Sequence, residues 1–312
     1  MQQHKWWQDT VFYQIYPRSF CDSNGDGVGD IRGLVEKLDY IKWLGAGAIW
    51  LSPVYDSPNR DMGYDIRDYK RILREYGTMQ DFDLLLEEMH KRGLRLVMDM
   101  VVNHTSDEHP WFLASRSSRN SPYRDYYYWR PGKGDNPPNN WSSFFTPCAW
   151  KYDTITKEWY LHCFGENQPD LNWENPAVRE EIYRMINWWL DRGVDGIRID
   201  VVSLFAKNID FPNATLRTSN YDGYVFPIEH IAFQPKLPGY LRELNARCLA
   251  GKDRVSIGEA TFVTTGNANT IVGEDMLDMV FQFELMELGN GEEKWEPHPY
   301  DIAAFKKTVC AW

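Results

Sequence analysis

Apolar and polar positions fall in blocks along this chain, and the blocks recur in one order: a short β-branched run, a polar loop, then an apolar stripe at helical spacing. Val11–Phe20 is β-branched and aromatic and predicts a strand. After the loop Asp22–Asp30, a helix is expected from Gly33 to Leu44, with Leu34, Leu38, Ile41 and Trp43–Leu44 on one stripe and Gly45 past its end. Ala48–Val54 predicts a second strand, followed by a polar loop over Asp56–Tyr69. Met79–Lys91 predicts a helix, since Phe82, Leu85, Leu86 and Met89 share a face before Gly93. Leu94–Val102 is a third strand, running into Asn103-His104-Thr105.

Between Asn103 and Asp170 no long helical pattern recurs, but Trp-rich and Pro-rich turns do. A structureless loop of that length is rare in a compact domain, so an inserted subdomain is expected, with short strands near Trp150–Tyr152 and Trp159–Phe164. Asn175-Pro176 then opens a helix to Asp191, and Gly196–Val202 is the fourth strand. A helix near Pro238–Leu249, the strand Arg254–Glu259, a short helix near Asn267–Val272, the strand Met279–Glu284 and a helix from Tyr300 to Trp312 complete the pattern. Strands that alternate with helices predict a parallel sheet with right-handed crossovers. The expected class is α/β, a (β/α)8-type TIM barrel in which about six of the eight βα units are present. Its parts are residues 1–103 (first part of the barrel), 104–171 (inserted subdomain) and 172–312 (barrel continued, through strand six).

Composition narrows function more than fold. A net charge of −11 argues against nucleic acid, whose phosphates call for clustered Lys and Arg. No window reaches the ~18 apolar residues of a membrane span, and Met1–Trp7 lacks the apolar core of a signal peptide. The expectation is therefore a cytoplasmic protein with no membrane contact. Cys21, Cys148, Cys163, Cys248 and Cys310 are scattered and form no CxxC, as free thiols in a reducing compartment would be. Fourteen Trp and eighteen Tyr supply either a large aromatic core or flat faces that stack on sugars.

Candidate chemistry enters where a strand breaks its own pattern. In an extended Gly196–Val202, Arg198 and Asp200 share one face, and Ile197, Ile199 and Val201 share the other. A parallel strand covered on both sides should be apolar throughout. The pair is therefore either a structural ion pair or a carboxylate held ionised by a guanidinium, which lowers an Asp pKa by ~1–3 units. On the fifth strand Val255, Ile257 and Glu259 share a face, and ligands of such folds gather at the carboxyl ends of strands. Two carboxylates on neighbouring strand ends suit glycoside hydrolysis, one as nucleophile or base and the other as proton donor. Separately, Asp22, Asn24, Asp26, the Val28 carbonyl and Asp30 offer hard oxygens at alternate positions around Gly27. That spacing follows a calcium loop, although its twelfth position is Gly33 rather than a bidentate Glu; a polar Asn-Gly turn is the other reading.

Taken together, these stretches resemble the α-amylase superfamily of retaining glycoside hydrolases, and within it the oligo-1,6-glucosidase, dextran glucosidase and α-glucosidase group. The matching segments are VFYQIYPRSF (11–20), DSNGDGVGD (22–30), IWLSPVYDS (49–57), GYDIRD (63–68), MDMVVNHTSDEH (98–109), QPDLNWEN (168–175), Gly196–Val202, IGEA (257–260) and MVFQFE (279–284). The resemblance implies that Asp200 is the nucleophile, Glu259 the general acid and base, and Arg198 the group that keeps Asp200 ionised. It places Asp61, Tyr64, His104 and Gln168 around a terminal glucose, Phe145 and Phe164 as its apolar wall, and Ca²⁺ in the Asp22–Asp30 loop. Val201 resembles the α-1,6-specific members, so the implied substrate is a short oligosaccharide with that linkage. Arg60, Met62, Phe233-Gln234-Pro235 and Ala260-Thr261 depart from the group on the leaving-group side. The group also carries a third carboxylate in an Asn-His-Asp sequence, and none occurs here; Asn103-His104 is followed by Thr105. The 312 residues alone are thus expected to be catalytically incomplete, with edges on strands one and six open to a completing chain or to self-association. Trehalose-6-phosphate hydrolase and sucrose isomerase are alternatives inside the group. A non-catalytic sugar-binding or transporter-ancillary relative is the alternative outside it.

Overall fold

The barrel strands form in the expected places, but most are shorter than their apolar runs. A computed structural model describes residues 4–215, 223–290 and 297–312. The chain runs β1 (Phe12–Ile15), α1 (Pro17–Phe20), α2 (Ile31–Glu36), α3 (Leu38–Trp43), β2 (Ala48–Leu51), β3 (Tyr55–Asp56), β4 (Asp68–Ile72), α4 (Met79–Lys91) and β5 (Arg95–Met100). The insertion follows with α5 (Pro110–Ser117), β6 (Trp129–Arg130), β7 (Trp150–Asp153) and β8 (Glu158–Leu161). Then come α6 (Pro176–Asp191), β9 (Gly196–Ile199), α7 (Ile228–Ile231), α8 (Leu237–Leu244), β10 (Val255–Gly258), β11 (Met279–Val280), α9 (Phe283–Met286) and α10 (Ile302–Ala311).

Local chemistry explains the differences from the sequence pattern. β1 stops at Ile15 because Pro17 has no N–H to give a ladder and instead opens α1. The helix expected at 33–44 is two helices: Asp30 caps α2 by accepting the Gly33 N–H at 2.7 Å, and the chain turns at Lys37 before α3. Gly33 is required there, since a Cβ would sit 2.1 Å from the Cys21 carbonyl oxygen. The polar loop at 56–69 contains part of an antiparallel hairpin, β3 with β4, tied by a bidentate Arg67–Asp56 pair. In the insertion, α5 went unseen in the sequence pattern. Its cap is His109, whose Nδ1 accepts the Trp111 N–H at 3.1 Å, and burial pushes that imidazole down to about 3, so it stays a neutral acceptor. β11 is only two residues long, and the chain turns helical at Phe283.

The six parallel strands lie in the order β1-β2-β5-β9-β10-β11, leaving β1 and β11 at the edges. The sheet curls so far that Trp50 of β2 meets Phe281, just past β11, with ring centroids 5.3 Å apart. Register then fixes what faces the inside. Trp50 pairs with Val97, Val97 with Gly196 and Gly196 with Val255, one layer; Asp99, Arg198 and Ile257 pair in the layer above. Gly196 is small because a Cβ there would lie 2.4 Å from Val255 Cγ1. Outside the sheet, helices bury Leu34, Leu38, Ile41, Phe82, Leu85, Ile182, Ile186 and Trp189 in one core. The insertion leaves the sheet at His104 and returns at Asp170, where the two residues pair.

Candidate active site

At the Asp99–Arg198–Ile257 layer and just above it, the ends of β5, β9 and β10 bring three carboxyls to one guanidinium. Arg198 Nη1 donates to Asp99 at 2.7 Å and to Asp200 at 2.8 Å, and Arg198 Nη2 to Glu259 Oε2 at 2.7 Å. All these Arg198 donors go to carboxyls, and its guanidinium carbon stands 5.0 Å from the centroid of the Trp50 ring. The strand was expected to reach Val202; it ends at Ile199, and Val201 turns left-handed, with φ +38°. Asp200 consequently sits on a turn rather than on the strand, still beside Arg198 and close enough to Glu259 for a side-chain hydrogen bond.

The electrostatics differ from expectation in sign. Burial is the largest influence on Asp200 and drives its carboxyl well above the usual range; Arg198 pulls it back, while Glu259 and Asp99 push it further up. Burial likewise raises Asp99 against the pull of Arg198. One guanidinium shared with Glu259 does not offset the burial of both Asp99 and Asp200, so these two carboxyls favour keeping a proton.

Around the cluster, the residues proposed for the sugar gather on one side. Gln168 Nε2 donates to Asp61 Oδ2 at 2.7 Å, and His104 Nε2 lies 3.0 Å from the Tyr64 carbonyl. Burial lowers the His104 pKa, and with Asn103 Nδ2 3.2 Å from Nδ1 the bonds fit a neutral ring protonated at Nε2. The Tyr64 hydroxyl donates to Asp99 Oδ2 at 3.0 Å, which links this group of residues to the charge cluster. Asp61 is raised by burial, with Gln168 opposing. Fully buried Asp65 holds the Asp61 loop by accepting the N–H groups of Arg60 and Asp61.

The aromatic group beside His104 is broader than the two rings named from sequence. Phe164 packs 5.1 Å from His104; Phe144 stacks on it at 4.9 Å, and Phe145 meets only its edge, at 5.6 Å, and is 54% exposed. Phe226 and Phe262, from the segments after β9 and β10, close on Phe144. Asp99 and these rings were missed. The signal for Asp99 was present: it interrupts the β5 apolar run as Arg198 interrupts β9. Phe144, Phe226 and Phe262 lie in irregular segments, where periodicity carries nothing.

In the Asp22–Asp30 loop, the side-chain oxygens face the loop's own amides. Asp22 accepts the N–H groups of Gly25 (2.7 Å), Gly27 (2.8 Å) and Asn24 (3.1 Å), which hold its carboxyl below its usual range. Asn24 and Asp26 each accept an N–H two residues on. Asp30 spends Oδ1 on the α2 cap and shares both oxygens with Ser23. Among the described residues, no three His, Cys, Asp or Glu side chains are drawn together as a metal group. The donor chemistry suits calcium, since carboxylates keep further lone pairs free, but Asp30 Oδ2 would have to exchange Ser23 for the ion.

The alpha amylase catalytic-domain family model matches residues 14–312. The chain belongs to that family. This amylase-family chain is 52% identical over 310 residues to an oligo-1,6-glucosidase of Parageobacillus thermoglucosidasius, covering 98% of itself and 55% of that relative. Among solved structures, it superposes on a Bacillus licheniformis trehalose-6-phosphate hydrolase mutant with TM-score 0.93 at 42% identity, and on the trehalulose synthase of Pseudomonas mesoacidophila with TM-score 0.92 at 45%. Each superposition covers 99% of this chain and 55% of the other. The chain thus spans about half the length of the curated relatives it matches. Among its described residues, no helix is long and apolar enough to cross a membrane.

Proposed function

We propose that this amylase-family chain carries the catalytic core of a retaining, exo-acting α-glucosidase that removes α-1,6-linked glucose from short oligosaccharides. The carrying observation is the sharing of Arg198 by Asp200 and Glu259, with Asp200 in hydrogen-bond reach of Glu259. Inverting enzymes hold their carboxyls ~6.5–9.5 Å apart to seat a water between them, and retaining ones hold them closer. Here Asp200 and Glu259 bond one guanidinium, which supports the closer arrangement.

On this reading Asp200 attacks the anomeric carbon while Glu259 gives a proton to the departing oxygen, and Glu259 then takes one from the water that releases glucose. Asp61, Tyr64, His104 and Gln168 clamp the hydroxyls of one terminal sugar, and Phe164 with Phe144 and Phe145 packs its apolar face. Val201 favours the 1,6 linkage from its place beside the nucleophile. Support for the substrate class comes from the 52% identity to an oligo-1,6-glucosidase, against 42–45% to the trehalose-6-phosphate hydrolase and the trehalulose synthase.

Three further parts of the reading are proposals of the same standing. Ca²⁺ would be held by Asp22, Asn24, Asp26, the Val28 carbonyl and Asp30, tying α1 to α2. The free cysteines suit a cytoplasmic location. The open edges of β1 and β11 suit pairing with a further strand-bearing segment, in the same chain or another.

The test is made on a chain of its relatives' length, fed isomaltose and followed by proton NMR. α-Glucose as the first anomer supports the reading; β-glucose, or turnover only of trehalose 6-phosphate or sucrose, refutes it.

A further inference from the structure

The backbone at Val201 is strained in a way that its side chain does not explain. Its φ of +38° and ψ of 42° are left-handed, a conformation that β-branched residues avoid. Such outliers persist where the surroundings enforce them, often at functional sites. What this one achieves is visible in the hydrogen bonds. The turn aims the Val201 N–H at Glu259 Oε2, at 3.1 Å. The next amide, of Val202, donates to the Glu259 carbonyl at 2.9 Å, and the Glu259 N–H donates to the Ile199 carbonyl at 2.8 Å. Residues 199–202 therefore grip Glu259 at its amide, its carbonyl and its side chain.

Both N–H donors on the Glu259 carboxyl, Val201 and Arg198 Nη2, converge on the same oxygen, Oε2. A proton on Oε2 would point at two N–H groups. We propose that Val201 is a positioning residue for the acid–base step: its strained peptide fixes the rotation of the Glu259 carboxyl, so that Oε1 carries the transferable proton. The inference rests on the glucosidase reading. In the first step the Oε1–H bond breaks as the proton passes to the glycosidic oxygen; the C1–O bond breaks, and an Asp200 oxygen bonds to C1. In the second step Oε1 takes a proton from water, whose oxygen displaces Asp200 from C1.

The test removes the N–H alone. α-Hydroxyisovalerate, placed at position 201 by nonsense suppression in a chain of glucosidase length, turns that amide into an ester and keeps the side chain. Two substrates separate the roles. Isomaltose has a sugar leaving group that needs the proton, whereas 2,4-dinitrophenyl α-glucoside leaves without it. General acid catalysis is worth ~10²–10⁴-fold, and a misaimed acid forfeits part of this. The expected result is a fall in kcat/KM of about 30-fold on isomaltose and under about 3-fold on the dinitrophenyl substrate. Equal losses on both, or none on isomaltose, overturn the proposal. If the ester form does not fold, Val201→Gly serves as the converse test: Gly adopts the left-handed turn without strain and keeps the N–H, so the ratio of kcat/KM on phenyl to dinitrophenyl α-glucoside should stay within about 3-fold of the parent, and a selective loss on the phenyl substrate refutes the assignment. A parent enzyme that turns over neither substrate sinks the glucosidase reading instead.

Discussion

Replacing Lys207 by Met should destabilise the chain more than any exposed charge change, because it strips the partner from a buried carboxylate. Lys207 Nζ lies 2.8 Å from Asp170 Oδ2, with both side chains fully buried, and also donates to Asn103 Oδ1 at 3.1 Å and the Leu204 carbonyl at 2.9 Å. Without it, Asp170 keeps the Cys163 N–H at 2.8 Å, the Cys163 thiol and a long contact to Asn103 at 3.4 Å, all uncharged. Breaking a buried pair from one side costs ~3–5 kcal/mol. Unfolding entropy of about 2.1 cal/mol/K per residue over 312 residues amounts to roughly 0.65 kcal/mol per degree. The melting temperature should therefore fall by about 5–8 °C. The double variant Lys207→Met with Asp170→Asn leaves no unpaired charge and should recover most of the loss. Calorimetry on the four forms of the cycle measures the coupling directly. A single variant that melts like the parent, or a double variant as unstable as the sum of the two singles, would refute the argument.

Asp200→Asn should abolish turnover and yet raise the melting temperature at pH 7. Burial holds this carboxyl above its unfolded value, so its stabilising contribution is present at acid pH and lost as pH rises through the folded pKa. Differential scanning calorimetry at pH 5 and 7 should show the larger gain at pH 7, and a variant less stable at both would contradict the sign. Millimolar Ca²⁺ should raise the melting point over EDTA, by about 2.7 kcal/mol of stability at 100 times its dissociation constant, and Asp22→Ala or Asp26→Ala should erase the gain. No difference between EDTA and Ca²⁺ would remove the ion. Val201→Ala should lower the isomaltose-to-maltose ratio of kcat/KM, since a methyl or two in a pocket is worth ~1–3 kcal/mol; an unchanged ratio excludes Val201 as selector.

How much of this was legible in the sequence depended on the range of the interactions. Strand and helix order followed from periodicity, because one-sided burial imposes it residue by residue. Arg198 and Asp200 announced themselves by breaking an apolar run. Boundaries were misjudged where a single residue ends an element: Pro17 ends β1, and Lys37 divides α2 from α3. Asp99 was readable in principle, but its meaning depends on cross-strand register with Arg198, which one strand cannot reveal. The depressed pKa expected for Asp200 was reversed for a similar reason. The local pair was seen, but neither its burial nor the two competing carboxyls were. The rings of Phe144, Phe226 and Phe262 come from three separate loops, and only folding brings them together.

The most direct test of the central claim, that Asp200 is the nucleophile of a retaining glucosidase, is to trap the intermediate. A chain of glucosidase length is treated with 5-fluoro-α-D-glucosyl fluoride and digested with pepsin, and the labelled peptide is sequenced by mass spectrometry. The account predicts one fluoroglucosyl ester, on Asp200, absent from Asp200→Asn. A label on Asp99 or Glu259 with Asp200 unmodified would contradict it.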